Sequence, residues 1–396
     1  MTNIDDNVPM PEPVKRKRGR PRKDATSNPN QTDLPGHKSK AASPAASLLN
    51  ALRFICVAQR KAGPTNVQFC NASHHWVAAS DGIVTAAHPI QEDIQTCPQT
   101  HPLIEALSTV AQERELSITQ LTPHALAITS GAFRGLISCV APAEIPITGP
   151  DPTAVQLNPG QGVLMQHALA SVASLAVDGS PEAIKAGVYL QAKSAVATDG
   201  AALLECWHGV DLPGAVLMPR YAAIAVGATK HALIGLGASA SSVTFHFQNG
   251  AWLKTQLYAE RYPNYQHFFD TSPGAKVWAA PLDFFKAIDT IESFSKTGTV
   301  HFNAQGIASD STKEQASTYR VEGLPDMAFK AKLLLSVKHA FETAAFDPVN
   351  RKVVFYNNKA RIRGVVMAVD LTPNQPAQSQ PSYKTPAVFS EDEIPF

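Results

Sequence analysis

Apolar positions between residues 46 and 371 follow two periods in alternation. Leu48, Leu49, Leu52, Ile55 and Cys56 recur at helical spacing with Arg53 and Arg60 off that face, which predicts an amphipathic helix over 46–59. Similar stretches at 163–177 and 281–294 each begin 117 or 118 residues after the last. Period-2 runs follow each helix, as at 67–70 and 76–79, and second helices are predicted at 102–111, 219–228 and 330–344. Further strands close each unit, at 125–128 with 133–140, 242–247 with 252–258, and 353–356 with 361–369. Asn249-Gly250 between alternating strands predicts a hairpin. Val77-Ala78-Ala79-Ser80-Asp81-Gly82 echoes Ala195-Val196-Ala197-Thr198-Asp199-Gly200, 118 residues on. The pattern implies an α+β fold of three tandem units, 46–150, 151–272 and 273–371, each with two helices packed on antiparallel sheets.

The flanks follow neither period. Residues 1–45 are rich in Pro, Asn, Ser and charge, too poor in apolar surface to offset the entropy of ordering, so a disordered head is predicted. Residues 372–396 hold five Pro and three Gln and read as an extended, solvated linker. It runs into Glu391, Asp392, Glu393, Ile394, Pro395 and Phe396.

Charge changes the picture. The formal net charge of +1 excludes a uniformly basic coat or a uniformly acidic mimic, but it conceals segregation. Residues 1–40 carry nine basic and five acidic residues, residues 372–396 one and three, and the part between 24 and 25. Five cysteines (Cys56, Cys70, Cys97, Cys139, Cys206) show no CxxC or Cys/His spacing and read as buried thiols of a reducing compartment. No apolar run reaches the roughly 18–20 residues that cross a bilayer, and no secretory signal is read at the N-terminus. The expectation is a cytoplasmic, nucleoid-associated protein with no membrane partner.

Several segments resemble known families. Lys15, Lys17, Arg22 and Lys23 surround Arg18-Gly19-Arg20-Pro21, which resembles an AT-hook. That resemblance implies Arg side chains laid along a narrow A·T minor groove; a generic basic tail on phosphates stays open beside it. The 391–396 ending is similar to the acidic tip of bacterial single-stranded-DNA-binding proteins. It implies replication and repair enzymes as partners, with Phe396 filling an apolar pocket and the acidic residues steering the encounter.

The body resembles bacterial-type DNA sliding clamps. Ala197-Thr198-Asp199-Gly200-Ala201-Ala202-Leu203-Leu204 is similar to the Ala-Thr-Asp-Gly hairpin of that family, Arg261-Tyr262-Pro263-Asn264-Tyr265 to its Arg-Phe-Pro-Asp-Tyr segment, and Gly364-Val365-Val366-Met367 to its last strand. Residues 130–138, then Ile145-Pro146, are similar to the end of its first domain. The resemblance implies a head-to-tail homodimeric ring around DNA, with no catalysis and no cofactor. Polymerase and clamp loader are the implied peptide partners. It also implies a peptide pocket of Leu190, Thr198, Gly200, Leu203, Pro263, Phe268, Val365 and Met367. Ala201 and Ala202 stand where the family usually has polar or basic residues. The 163–177 helix has no Lys or Arg, which leaves Arg53, Arg60, Lys61, Lys230, Lys286, Lys332 and Lys338 as candidate DNA contacts.

Enzymatic signatures do not surface. Walker loops, nucleophile elbows and dinucleotide fingerprints are missing from the sequence. His74-His75, read as strand neighbours, would point to opposite faces and share no ion. Asp81 and Asp199 read as turn formers. The favoured reading is a clamp-like processivity factor. The alternative is a single-stranded-DNA-binding protein on a clamp-like scaffold, with Trp76, Trp207, Trp252 and Trp278 available for stacking.

Overall fold

The computed structural model describes residues 44–59, 65–110, 116–145, 147–310 and 317–369. Seven α-helices occur among them: α1 (Pro44–Ile55), α2 (Thr100–Thr109), α3 (Pro159–Ala173), α4 (Ala183–Ala186), α5 (Arg220–Ala228), α6 (Phe284–Glu292) and α7 (Ala331–Ser336). The apolar stripe of α1 is what the spacing implied, with Leu48, Leu52 and Ile55 at most 1% exposed and Arg53 in solvent. Each such burial is worth about 1.5–3 kcal/mol. α3 starts four residues ahead of the apolar pattern because its cap is polar. The Asn158 side chain accepts from the Gln161 amide and the Gln161 side chain accepts from the Asn158 amide, with Pro159 in the first turn.

Three local expectations are corrected. The 330–344 stretch is not one helix: α7 is followed by a 3-10 turn, Lys338–Ala340, and then a strand, Thr343–Asp347. Its Ala and Phe residues satisfy either period, and pairing with two flanking strands decides for extension. The 67–70 run is not a strand: Val67 and Gln68 end a 3-10 turn, Thr65–Gln68, and Phe69 makes only an isolated bridge to Gln99. His74 and His75 are not strand residues. Both have positive φ, 50° and 60°, and they form the two-residue loop that pairs Ser73 with Trp76.

The strands form four antiparallel sheets. A seven-stranded sheet runs Asn71–Ser73, Trp76–Ser80, Val84–Pro89, Trp252–Gln256, Ser242–Phe247, Leu233–Ala238, Thr153–Gln156. An eight-stranded sheet runs Val216–Pro219, Gly187–Gln191, Ser194–Thr198, Ala202–Trp207, Ile362–Met367, Lys352–Asn357, Thr343–Asp347, Val277–Ala279. Two smaller sheets have the orders Thr318–Tyr319, Gly306–Ser309, Thr299–Asn303, Met327–Lys330 and Cys97–Pro98, Phe133–Val140, Ala125–Ser130, Ser117–Thr122.

Both large sheets cross the unit boundaries expected from the repeat. Leu253 pairs with Ala86 across the first, and Leu203 pairs with Val365 across the second. The longer helices α1, α3, α5 and α6 share one continuous core with the inward strand residues, and the short α4 packs in a separate cluster with Val196, Leu203 and Val365.

Candidate peptide pocket and DNA-facing helices

Strand alternation sorts the pocket residues. In the eight-stranded sheet Leu203 stands opposite Thr198 and Val365, and Val365 opposite Val354. These side chains therefore share the face opposite the main core, with Val196 and Met367, where α4 also packs through Ala183 and Ile184. The Arg261–Tyr265 segment and the turn after it lie across this face. Tyr262, Tyr265 and Phe269 pack on Val196, Leu203, Val354 and Val365.

Thr198, Gly200, Leu203, Val365 and Met367 are thus brought together. Leu203 and Val365 are buried under the chain's own aromatics, leaving Thr198, Gly200 and Met367 as the accessible rim. Leu190 is not among them. It pairs with Ala195 on the helix-facing side and belongs to the main core, while its neighbour Tyr189 stacks on Tyr262 at 4.5 Å. Phe268 is 39% exposed and Phe269 takes the inward place. Pro263 is exposed and lines a hollow of about 440 Å³ with Tyr189, Tyr262 and Tyr265.

The rim is stitched by its own backbone. The Asp199 carboxylate accepts from the Ala201 and Ala202 amides at 2.8 and 2.7 Å, so the residue forms a turn. Gly200 has φ of 96°, and Lys185 Cε lies 2.8 Å from where a Cβ would stand. Thr198 Oγ1 donates to Ala202 O at 2.6 Å, and the Met367 amide donates to Ala201 O. Asp81 repeats the arrangement, accepting from the Ile83 and Val84 amides.

A buried ion pair pins the covering segment. Glu205, 2% exposed, accepts from Arg363 Nε at 2.7 Å, Tyr265 Oη at 2.8 Å and Ser194 Oγ at 2.7 Å. The Arg363 guanidinium lies 3.8 Å from the Phe269 ring centroid and donates to Gln266 Oε1. Burial, followed by the Glu205 charge, pushes the Tyr265 phenol well above its usual range. No sequence motif announced Glu205 or Arg363; their only signal was a charged residue inside each of two apolar strands.

On the helices, Arg53, Lys286 and Lys332 are exposed, as are Lys230 just after α5 and Lys338 in the 3-10 turn. Exposed Lys359 and Arg361, in the hairpin turn before Ile362–Met367, were not anticipated. Arg60, Lys61, the Lys15–Lys23 motif and the 391–396 tip lie outside the described residues. The cysteines are unpaired, and burial pushes the Cys70 thiol up to about 12. Among the described residues no His/Cys/Asp/Glu group could hold a metal ion, and no helix is long and apolar enough to cross a membrane.

No protein family description and no curated protein matches this sequence. Solved structures do match in shape. The DNA polymerase III subunit beta of Pseudomonas aeruginosa aligns with TM-score 0.70 at 14% identity, covering 83% of this chain and 98% of that one. The DNA polymerase III beta subunit of Thermotoga maritima gives 0.70 at 14%, covering 84% and 99%. The DNA polymerase sliding clamp of Bacillus subtilis gives 0.69 at 14%, covering 83% and 98%. At such identity the likeness establishes the fold: the described body has the α+β architecture of bacterial sliding clamps.

Proposed function

We propose that this chain is a DNA-sliding-clamp-like processivity factor that closes head to tail as a homodimer and holds duplex DNA without chemistry. The observation that carries the reading is the extent of the fold likeness, which spans nearly the whole length of each clamp matched. The three-part division at 46–150, 151–272 and 273–371 belongs to the same proposal.

Two strand edges support closure. The small sheets end on Ser117–Thr122 and Thr318–Tyr319, each paired on one side only among the described strands. An open edge is a template for a second chain. Leu121 within the first is 59% exposed, Leu136 68% and Phe294, after α6, 53%. Burial of such side chains in a second copy would favour association.

In this reading Arg53, Arg60, Lys61, Lys230 and Lys338 meet the DNA backbone, and the basic head adds sequence-tolerant attraction or a minor-groove hold. The rim of Thr198, Gly200 and Met367 offers peptides a shallow apolar seat, and the acidic tip recruits replication and repair proteins. Retention on DNA circles tests the proposal. The full chain should stay on closed circular duplex in high salt and slide off once the circle is cut. Equal loss from both forms, or preference for oligo(dT), would overturn it in favour of a binding protein for single strands.

A further inference from the structure

α3 carries no Lys or Arg, yet the tertiary structure surrounds its exposed flank with cations. Three hydrogen bonds close the arrangement. His167 Nε2 on α3 donates to Ala360 O at 3.2 Å, and His339 Nε2 in the Lys338–Ala340 turn donates to Ser171 O at 3.1 Å. Asn357 Nδ2 donates to His339 O at 3.3 Å, which ties the hairpin to the turn. Asn357 Oδ1 also accepts from the Ala360 amide, and the Arg361 amide donates to Asn358 O. Arg361 sits at φ 56°, so the hairpin tip is held in a set shape.

The charged and titratable groups at this seam are few and of one sign. α3 contributes His167, the turn Lys338 and His339, and the hairpin Lys359 and Arg361, all exposed. Residues 159–177, 331–341 and 352–368 contain no Asp or Glu at all. Beneath the seam, Cys206 Sγ donates to Ala360 O, and burial pushes that thiol up to about 12, so it adds no negative charge.

We infer that this seam is a phosphate-binding surface for a nucleic-acid backbone, formed by Lys338, Lys359, Arg361 and the imidazoles of His167 and His339. Cations spread over three segments suit repeated phosphates, several of which they neutralise together with release of counterions. The inference rests on and deepens the DNA-holding role proposed above, adding Lys359, Arg361, His167 and His339 to Lys338. The His339 imidazole makes the grip pH-dependent. Burial and the neighbouring His167 hold His339 below the usual histidine value, against the Ser171 carbonyl, which favours the charged form. Protonation of His339 on acidification adds positive charge while its Nε2–H bond to Ser171 O persists.

The test measures affinity of the full chain for a short linear duplex across salt. Two lost phosphate contacts lower the slope of log K against log salt by about 1.8, and weaken binding roughly 60-fold at 0.1 M salt. Lys359→Gln with Arg361→Gln should show this loss, and the double change to Glu a larger one. Lys276→Glu, away from the seam, should leave the slope unchanged. Acidification from pH 7.5 to 5.5 should steepen the slope of the natural chain, but not of a His167→Gln, His339→Gln variant, which keeps both donors. Unchanged slopes in the folded Gln variant would overturn the inference. Linear duplex separates the two readings: failure of ring closure leaves this slope difference in place, and failure of the seam leaves retention on circles.

Discussion

Replacing Arg363 by Met isolates the most exacting interaction of the pocket. The change keeps an apolar stem of similar length but removes the guanidinium, which bonds Glu205 Oε2 at 2.6 and 2.7 Å. Glu205 is 2% exposed, so its carboxylate would be left with only the Tyr265 and Ser194 hydroxyls. Breaking a buried pair from one side costs about 3–5 kcal/mol. The two remaining hydroxyls and the 20% exposure of the Arg363 side chain place this case near the lower end, at about 3 kcal/mol. Lost stacking on Phe269 adds about 0.5–1 kcal/mol. Glu205→Gln together with Arg363→Met removes both charges and should cost less than Arg363→Met alone, giving a coupling of at least about 2 kcal/mol.

Urea unfolding of the four proteins measures these values. Trp207, 4.9 Å from the guanidinium, serves as the fluorescent reporter, and circular dichroism checks that the transitions coincide. Amide exchange over 261–269 should quicken in the single variant before global unfolding. A cost under about 1 kcal/mol for Arg363→Met, or a double variant no more stable than the single, would refute the premise that this pair pins the segment over the sheet.

Three further outcomes follow from particular contacts. Gly364 lies between Leu204 and Phe355 in register, and the Phe355 ring fills the space a Cβ would need; Gly364→Ala should lower stability by about 3 kcal/mol in urea, through overpacking. Asp347 is buried; burial opposes its ionisation, but bonds from the Asn350 side chain and amide and from Ser272 prevail and hold its pKa at about 2, below the reference 3.8. A depressed folded value stabilises above the unfolded pKa and is lost as pH falls from about 4 to about 2, so Asp347→Asn should flatten that limb of a pH–stability curve by about 2 kcal/mol. Leu121→Lys places a charge within the open Ser117–Thr122 edge and should shift the chain toward monomer in sedimentation, with secondary structure unchanged.

The sequence by itself determined what depends on neighbours along the chain. The stripe of Leu48, Leu52 and Ile55 encodes its helix, and the Asp-Gly pairs at 81 and 199 encode turns that their own carboxylates close. Short motifs in order pointed to the clamp fold.

Tertiary structure alone decided what depends on pairing across long separations. No local pattern joins Ala86 to Leu253 or Leu203 to Val365. Strand parity has the same origin. A slip of one residue exchanges the two faces of a strand, which is why Tyr189 and not Leu190 joins the pocket cluster, while the 3-10 turn Gln266–Phe269 turns Phe269 inward in place of Phe268. The 343–347 run satisfied two periods until its strand partners chose one. The electrostatics followed suit: α3 looks uncharged in sequence, and only folding sets Lys338, Lys359 and Arg361 around it, because cations far apart along the chain become neighbours where the sheet and helices meet.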